Sequence, residues 1–205
     1  MINPIEYYNS EELVEQYIQK DLPFVKKGEG ELIAALEGIP YNGKKALDVG
    51  CGYGRDVAFM RSLGIDAFGV DGASAMVKKA QEMYGSFFNV LTFSNLHTIP
   101  DNAYEIIHNS NVLVHIDEED INSHLEHLVR ILKPKGVLIL GSKEGVGHSV
   151  SKTMKMERIT NLHSKKKIGE KLECLGMELI EKPYSLSKPS ENAALLFKLR
   201  AIKLG

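Results

Sequence analysis

The segment 46–59 reads ALDVGCGYGRDVAF, and FGVDGAS follows around Asp71. Asp48 closes one apolar run, a turn carrying Gly50, Gly52 and Gly54 follows, and Asp71 closes the next apolar run. Two carboxylates at the carboxyl ends of neighbouring strands, with a flexible bend between them, make the kind of crevice in which a parallel sheet holds a nucleoside-bearing ligand. The glycines let the backbone turn sharply and come close to that ligand. The helix that starts at Arg55 aims its free amides at the same place.

A dinucleotide site wants G-x-G-x-x-G, the last glycine packing helix against strand beside the pyrophosphate. Here that position is Arg55, and the glycines fall at 50, 52 and 54. S-adenosylmethionine (SAM) has no pyrophosphate but an amino-acid end. A carboxylate such as Asp48 suits its ammonium, glycine amides suit its carboxylate, and Asp71 is placed to accept hydrogen bonds from both ribose hydroxyls. The spacing therefore favours SAM and methyl transfer over a nicotinamide and redox chemistry.

These stretches resemble class I SAM-dependent methyltransferases. LDVGCGYGRD is similar to the glycine motif of that family, and GVDGASAMVKKA to the segment after its second strand. FSNLHTIPDNAYEIIHNSNVLVHID resembles its third-to-fourth strand region, and LVRILKPKGVLILGSKEG its helix, turn and fifth strand. The resemblance covers residues 44–145 and is specific to the family, not to one substrate. It implies that Gly50, Cys51 and Gly52 line the methionine end of the cofactor, with Gly54 in the same turn. It implies that Asp71 holds the ribose with Gly72 beside it and that Met76 packs on the adenine. Asn95, at a position where aspartate is common, would accept from the adenine amino group while the Leu96 amide donates to the ring. Asn109, Asn111 and Val112, after the fourth strand, would face the sulfonium and the reacting methyl. Glu105 replaces a more usual aspartate and reads as structural.

The stretch Asn109-Ser110-Asn111-Val112 lacks the Asn-Pro-Pro-Tyr-type motif of enzymes that methylate exocyclic amines of nucleic-acid bases, and no Pro-Cys pair supplies a cytosine-5 nucleophile. With a net charge of -2, this favours a small-molecule acceptor over nucleic acid. The alternatives are a SAM- or S-adenosylhomocysteine-binding protein without turnover, and a methyltransferase acting on protein or RNA. The support for the last is the cluster Lys165, Lys166 and Lys167, whose simpler reading is a solvated helix face.

Methyl transfer from a sulfonium is an in-line displacement in which alignment is the main task, worth ~7–11 kcal/mol in favourable cases. A general base is added when the acceptor must lose a proton. His115, on the loop after the fourth strand, is the candidate base; the competing reading is a histidine bonded locally or packed under that loop. His148 and His163 lie in a segment that either folds over the site or forms surface loops. His97, His108, His124 and His127 read as structural or exposed. No histidine or cysteine pairing has metal-ligand spacing, so no metal is expected. Tyr7, Tyr8 and Tyr17 precede the core on a helix that either closes over the cofactor or covers a sheet edge. Arg55 either reaches the SAM carboxylate or pairs with Asp56 or Glu82.

The elements that must position these residues follow from periodicity. Leu13, Val14, Tyr17 and Ile18 predict a helix over 10–19 capped by Ser10, and a second helix over 31–36 ends at Gly38 and Pro40. Strands over 46–49, 67–70, 87–93, 104–109 and 137–140 alternate with helices over 55–63 and 74–83. A third such helix is capped by Asp117, carries Ile121, Leu125, Leu128, Val129 and Leu132 on one face, and ends at Pro134. A helix over 164–175 leads to strands over 178–181 and 194–202, joined through Pro189 and Asn192 as an antiparallel pair. The expected fold is α/β, Rossmann-like and doubly wound. It has a mostly parallel seven-stranded sheet, one antiparallel strand near the C-terminal edge, and helices on both faces. One domain is expected over 1–205, with a helical lead-in over 1–43, a cofactor-binding core over 44–145 and a substrate-side segment over 146–205.

Bulk properties agree. With 43% apolar and 25% charged residues, neither disorder nor a membrane protein is indicated, and 205 residues suffice for a full core. Cys51 and Cys174 are the two cysteines, so no disulfide framework is expected, and Cys51 reads as a small residue that fits the glycine turn. MINPIEYYNSEE has no basic region followed by an apolar stretch, so no secretory signal is expected. No apolar run approaches membrane-spanning length. A cytoplasmic location follows as an expectation.

Overall fold

The computed structural model describes residues 4–153, 156–180 and 196–205. Three helices lead in: α1 (Pro4–Tyr8), α2 (Glu11–Asp21) and α3 (Val25–Leu36). In α2, Val14 and Ile18 are the buried positions of the expected stripe. Ser10 is its N-cap residue, though its side chain makes no capping bond. The third helix starts at Val25, well before the expected 31, because Gly28 and Gly30 hide it from a propensity reading. Gly28 has a packing reason: a side chain there would come within 3.2 Å of Arg55 Nη2.

The alternation then runs β1 (Lys45–Val49), α4 (Arg55–Ser62), β2 (Asp66–Asp71), α5 (Ser74–Tyr84), β3 (Phe88–Val90), β4 (Tyr104–Ser110), α6 (Ile121–Ile131) and β5 (Leu132–Lys143). A hairpin of β6 (Gly147–Thr153) and β7 (Met156–Leu162) follows, then α7 (Lys165–Cys174), β8 (Met177–Leu179) and β9 (Leu196–Lys203). The seven-stranded sheet has the order β3-β2-β1-β4-β5-β9-β8. Its neighbours from β3 to β5 are parallel, whereas β9 runs antiparallel to both β5 and β8. Strand β1 is buried almost end to end, as a central strand of a sheet covered on both faces must be. On one face Leu47, Ile107, Leu138 and Leu140 pack with Leu125 and Leu128 of α6 and Ile168 and Leu172 of α7. On the other, Ala46, Ala67, Ile106 and Ile139 pack with Leu32, Val57, Met60 and Val77 of α3, α4 and α5. Among the described residues, no helix is long and apolar enough to cross a membrane.

Three further boundaries differ from expectation. Strand β3 stops at Val90, and Phe93–Thr98 forms a 3-10 segment. Helix α6 is capped at Asp120, while Asp117 begins the preceding turn and its carbonyl accepts from the Asp120 amide at 2.9 Å. Pro134 does not end that helix. The helix stops at Ile131, and residues 132–136 are taken into β5 as an irregularity, the pairing jumping from Tyr104↔Leu132 to Ile106↔Val137. Lys135 adopts φ 63° there. The β6–β7 hairpin was not expected at all. Glu105 is structural: its carboxylate accepts from the Lys45 amide at 3.0 Å and from Lys133 Nζ at 2.7 Å. Pro189 and Asn192 lie outside the described residues, as do the first residues of the expected 194–202 strand.

Candidate functional site

Strands β2 and β4 flank β1 on opposite sides, so the chain changes direction across the sheet at that point, and ligands of open α/β sheets bind beside such a switch point. The carboxyl ends of all three strands border one cavity, enclosing about 710 Å³ of atom-free space partly open to solvent. Gly50 and Gly52 come from the β1 turn; Asp71, Gly72 and Ala73 come from the end of β2, with Met76 on α5; Thr92 and Phe93 follow β3. Ser110 ends β4, Asn111, Val112 and His115 follow it, and Ile5, Tyr8 and Tyr17 reach in from the lead-in helices.

Asp71 is the fixed point. Its Oδ2 accepts from the Gly52 amide and its Oδ1 from the Ala73 amide, both at 2.8 Å. The carboxylate is thereby clamped while each oxygen keeps a further lone pair for a ligand. Burial pushes its pKa above the usual aspartate value, opposed by the two amides, with the charge of Asp48 adding to the rise. The turn itself is tied to β2, the Gly50 and Cys51 amides donating to the Val70 carbonyl at 2.8 and 3.0 Å. Gly50, Gly52 and Gly54 take φ of 79°, 52° and 85°, left-handed values that suit glycine. A side chain at Gly54 would strike the Phe88 ring at 2.6 Å, whereas at Gly52 it would meet nothing within 4 Å.

Of the residues singled out from the sequence, Gly50, Gly52, Asp71, Gly72, Met76, Asn111, Val112 and His115 border the cavity. The other expected cofactor-binding residues stand elsewhere. Asp48 is buried beneath the turn, its Oδ1 2.8 Å from His108 Nδ1; burial raises its pKa and His108 opposes the rise. Cys51 packs in the core on the α3–α5 side of the sheet, and burial pushes its thiol well up, with Asp48 and Asp71 contributing. Gly54 caps α4. Arg55 turns to Asp21 (2.6 Å) and Asp56 (2.8 Å), so the expected pair with Asp56 forms. Burial works against its charge, but Asp56 and Asp21 more than offset this. Asn95 is exposed with its amide donating to the Thr92 carbonyl, and Leu96 is fully buried in the core. Thr92 and Phe93 occupy the wall where Asn95 and Leu96 were expected, because β3 ends early. Asn109 is buried, its Nδ2 donating to the Val49 carbonyl at 3.0 Å, which ties β4 to β1 below the cavity.

The lead-in closes the cavity from above. The Tyr8 ring meets His115 edge-on at 5.7 Å and Tyr17 at 5.7 Å. Asn9 Oδ1 accepts from Ser74 Oγ (3.0 Å) and the Ala75 amide (3.1 Å). Asp21 Oδ2 accepts from Tyr53 OH (2.5 Å) and from Arg55. Burial and the Asp21 carboxylate push the Tyr53 phenol up. His163 is 3% exposed and so not a surface-loop residue, whereas His148 is exposed. Lys165, Lys166 and Lys167 stand exposed on the first turn of α7. Asp48, Asp56 and His108 bring ligand atoms within 4.8 Å of one another, but these groups are already engaged with each other and with Arg55.

The site fits SAM on its own geometry. A clamped carboxylate stands beside two glycines with no side chains, open space lies in front of Gly52, and Met76 and Phe93 supply apolar wall.

Comparison with known proteins agrees. Residues 47–140, from β1 into β5, match a methyltransferase domain model. Phosphoethanolamine N-methyltransferase 1 of Triticum aestivum is 27% identical over 127 residues, covering 59% of this chain and 25% of that protein. The chain thus spans about a quarter of the length of the curated relative it matches. Magnesium protoporphyrin IX methyltransferase (ChlM) of Synechocystis PCC 6803, solved with bound SAM, superposes with a TM-score of 0.73 at 18% identity, covering 97% of this chain and 94% of that one. A TehB-like SAM-dependent methyltransferase of Corynebacterium glutamicum gives 0.70 at 21% identity, covering 96% and 100%. Its glycine turn, its sheet order and the methyltransferase domain model over residues 47–140 make this chain similar to the class I SAM-dependent methyltransferases, whose cofactor is S-adenosylmethionine.

Proposed function

We propose that this chain moves the methyl group of SAM to a small-molecule nucleophile. The observation that carries the reading is the clamped Asp71 carboxylate at the wall of a cavity whose floor is Gly50 and Gly52. When bound, SAM supplies a methyl group already activated by its sulfonium sulfur. Asp71 accepts hydrogen bonds from the ribose hydroxyls. Gly50 and Gly52 let the ligand approach the backbone, and Met76 and Phe93 pack on its base. Asn111, Val112 and His115 form the wall nearest the acceptor, and His115 takes the proton that a hydroxyl or amine acceptor must lose. Tyr8 and Tyr17 exclude water and leave room for a compact acceptor in preference to a macromolecular one.

The wheat relative makes phosphoethanolamine, a small amine, the first acceptor to try. The test is calorimetry with SAM and S-adenosylhomocysteine, followed by turnover of labelled SAM with phosphoethanolamine and with a metabolite extract. Binding that is lost in Asp71→Ala, with label transferred to a small product, is the expected result. Binding without any transfer replaces the reading with a SAM-binding protein; no binding to folded protein removes it.

A further inference from the structure

We propose that Asn161 and His163 of the β6–β7 hairpin are positioning residues for the acceptor-side wall of the cavity. They hold the 3-10 turn Leu113–His115, and the ligand used to test them rests on the functional reading above. A single 3-10 turn is a weak element by itself. Here it is held within the loop by the His115 amide on the Val112 carbonyl (2.9 Å) and the Ile116 amide on the Leu113 carbonyl (3.0 Å). Its two ends are then gripped from β7 and the residue that follows it. His163 Nε2–H donates to the Leu113 carbonyl at 2.8 Å from a buried position. Asn161 Nδ2 donates to the Ile116 carbonyl at 2.8 Å and reaches Asp117 Oδ1 at 3.2 Å. The second His163 nitrogen lies 3.6 Å from Glu118 Oε2.

The stem of the hairpin is anchored in turn. The His163 amide donates to the Lys143 carbonyl at 3.0 Å, and the Gly145 amide donates to the His163 carbonyl at 3.2 Å, where the chain leaves β5. A continuous set of bonds therefore runs from the sheet through His163 to the turn. On its far side the turn presents Val112 against Gly50 and His115 against Tyr8. Moving it shifts both contacts. The hairpin thus sets where Val112 and His115 stand, although none of its described residues borders the cavity.

The experiment uses the whole chain, S-adenosylhomocysteine as probe, and the imidazole NMR signals of His115, assigned with His115→Gln. His163→Gln keeps an N–H at the place of Nε2, His163→Leu removes it, and Asn161→Asp sets a carboxylate against two acceptors. The expected result is displaced His115 signals in His163→Leu and Asn161→Asp. Affinity for the probe should fall about three- to tenfold, the span of one net hydrogen bond. In His163→Gln both readouts stay as in the parent protein. Parent-like signals and affinity in both disruptive variants overturn the proposal, and so does His163→Gln behaving like His163→Leu, which makes the role one of packing. If His163→Leu does not fold, the half-buried Asn161 decides alone by the same criteria. Failure of the parent to bind the probe sinks the functional reading instead, and the His115 signals still decide the positioning role.

Discussion

Gly50 and Val112 face each other so closely that a methyl group on Gly50 would lie 2.2 Å from Val112 Cγ2. The β1 turn and the loop after β4 are therefore fitted to one another with no slack. Gly50→Ala adds this collision to the cost of a left-handed φ. About 2–5 kcal/mol of destabilisation in urea unfolding is expected from the two together. Gly50→Ala combined with Val112→Ala should recover the collision part and leave the backbone part. Full additivity of the two losses would show that the contact does not carry the effect.

Gly52 offers the contrast. Its φ is also positive, but a side chain there meets nothing within 4 Å and points into space bordering the cavity. Gly52→Ala should cost only about 1–2 kcal/mol of stability, yet weaken S-adenosylhomocysteine by about tenfold or more, equivalent to ~1.4 kcal/mol. A calorimetric affinity equal to that of the parent protein would move the ligand away from Gly52.

Much of this arrangement was legible in the sequence because the residues that make it obey local rules. The runs ending at Asp48 and Asp71 are short, apolar and bounded by glycines, and the carboxylate of Asp71 can be placed from that alone. What was hidden depended on distant packing. Asp48 is taken by His108, a partner 60 residues away that sits beside it only once β1 and β4 pair. Thr92 and Phe93 reach the cavity because β3 stops after Val90, a boundary set by pairing with β2 and not by composition. The hairpin carries little apolar signal: Val150 is 55% exposed, and residues 147–150 lack the buried alternation that marks half-buried strands. Tyr8 and Tyr17 could be named as a cover or an edge, and only the fold brings Tyr8 to His115.

Asp21 fastens the lead-in to the core through Tyr53 and Arg55. Arg55 keeps Asp56 when Asp21 is removed, but the buried Tyr53 hydroxyl loses its carboxylate. Asp21→Ala should cost about 1–3 kcal/mol and act mainly on the lead-in. Limited proteolysis with mass spectrometry should show earlier cleavage before residue 25 with the sheet still protected, and weaker S-adenosylhomocysteine binding. Cleavage that begins in the sheet would mean that Asp21 supports the whole fold.

His124 gives the acid side of the stability profile. It is buried on α6, edge-on to Phe93 at 5.3 Å, and neither ring nitrogen has a hydrogen-bond partner among the described residues. Burial, with a smaller contribution from the charge of His127, lowers its pKa from 6.5 to about 3. The unfolded chain takes up this proton near pH 6.5 and the folded chain refuses it until about pH 3. The sign follows: the unfolded state binds more protons, so stability is full above the unfolded value and is lost as pH falls through that window. At ~1.4 kcal/mol per pH unit, His124 accounts for about 2 kcal/mol lost between pH about 7 and about 5. His124→Leu removes two unpartnered buried nitrogens, so stability near neutrality should hold or rise, and the acid-side slope should flatten by that amount. Urea midpoints at the two pH values measure it. A slope equal to the parent's would place the acid sensitivity on other groups and show that His124 is hydrated in the folded protein.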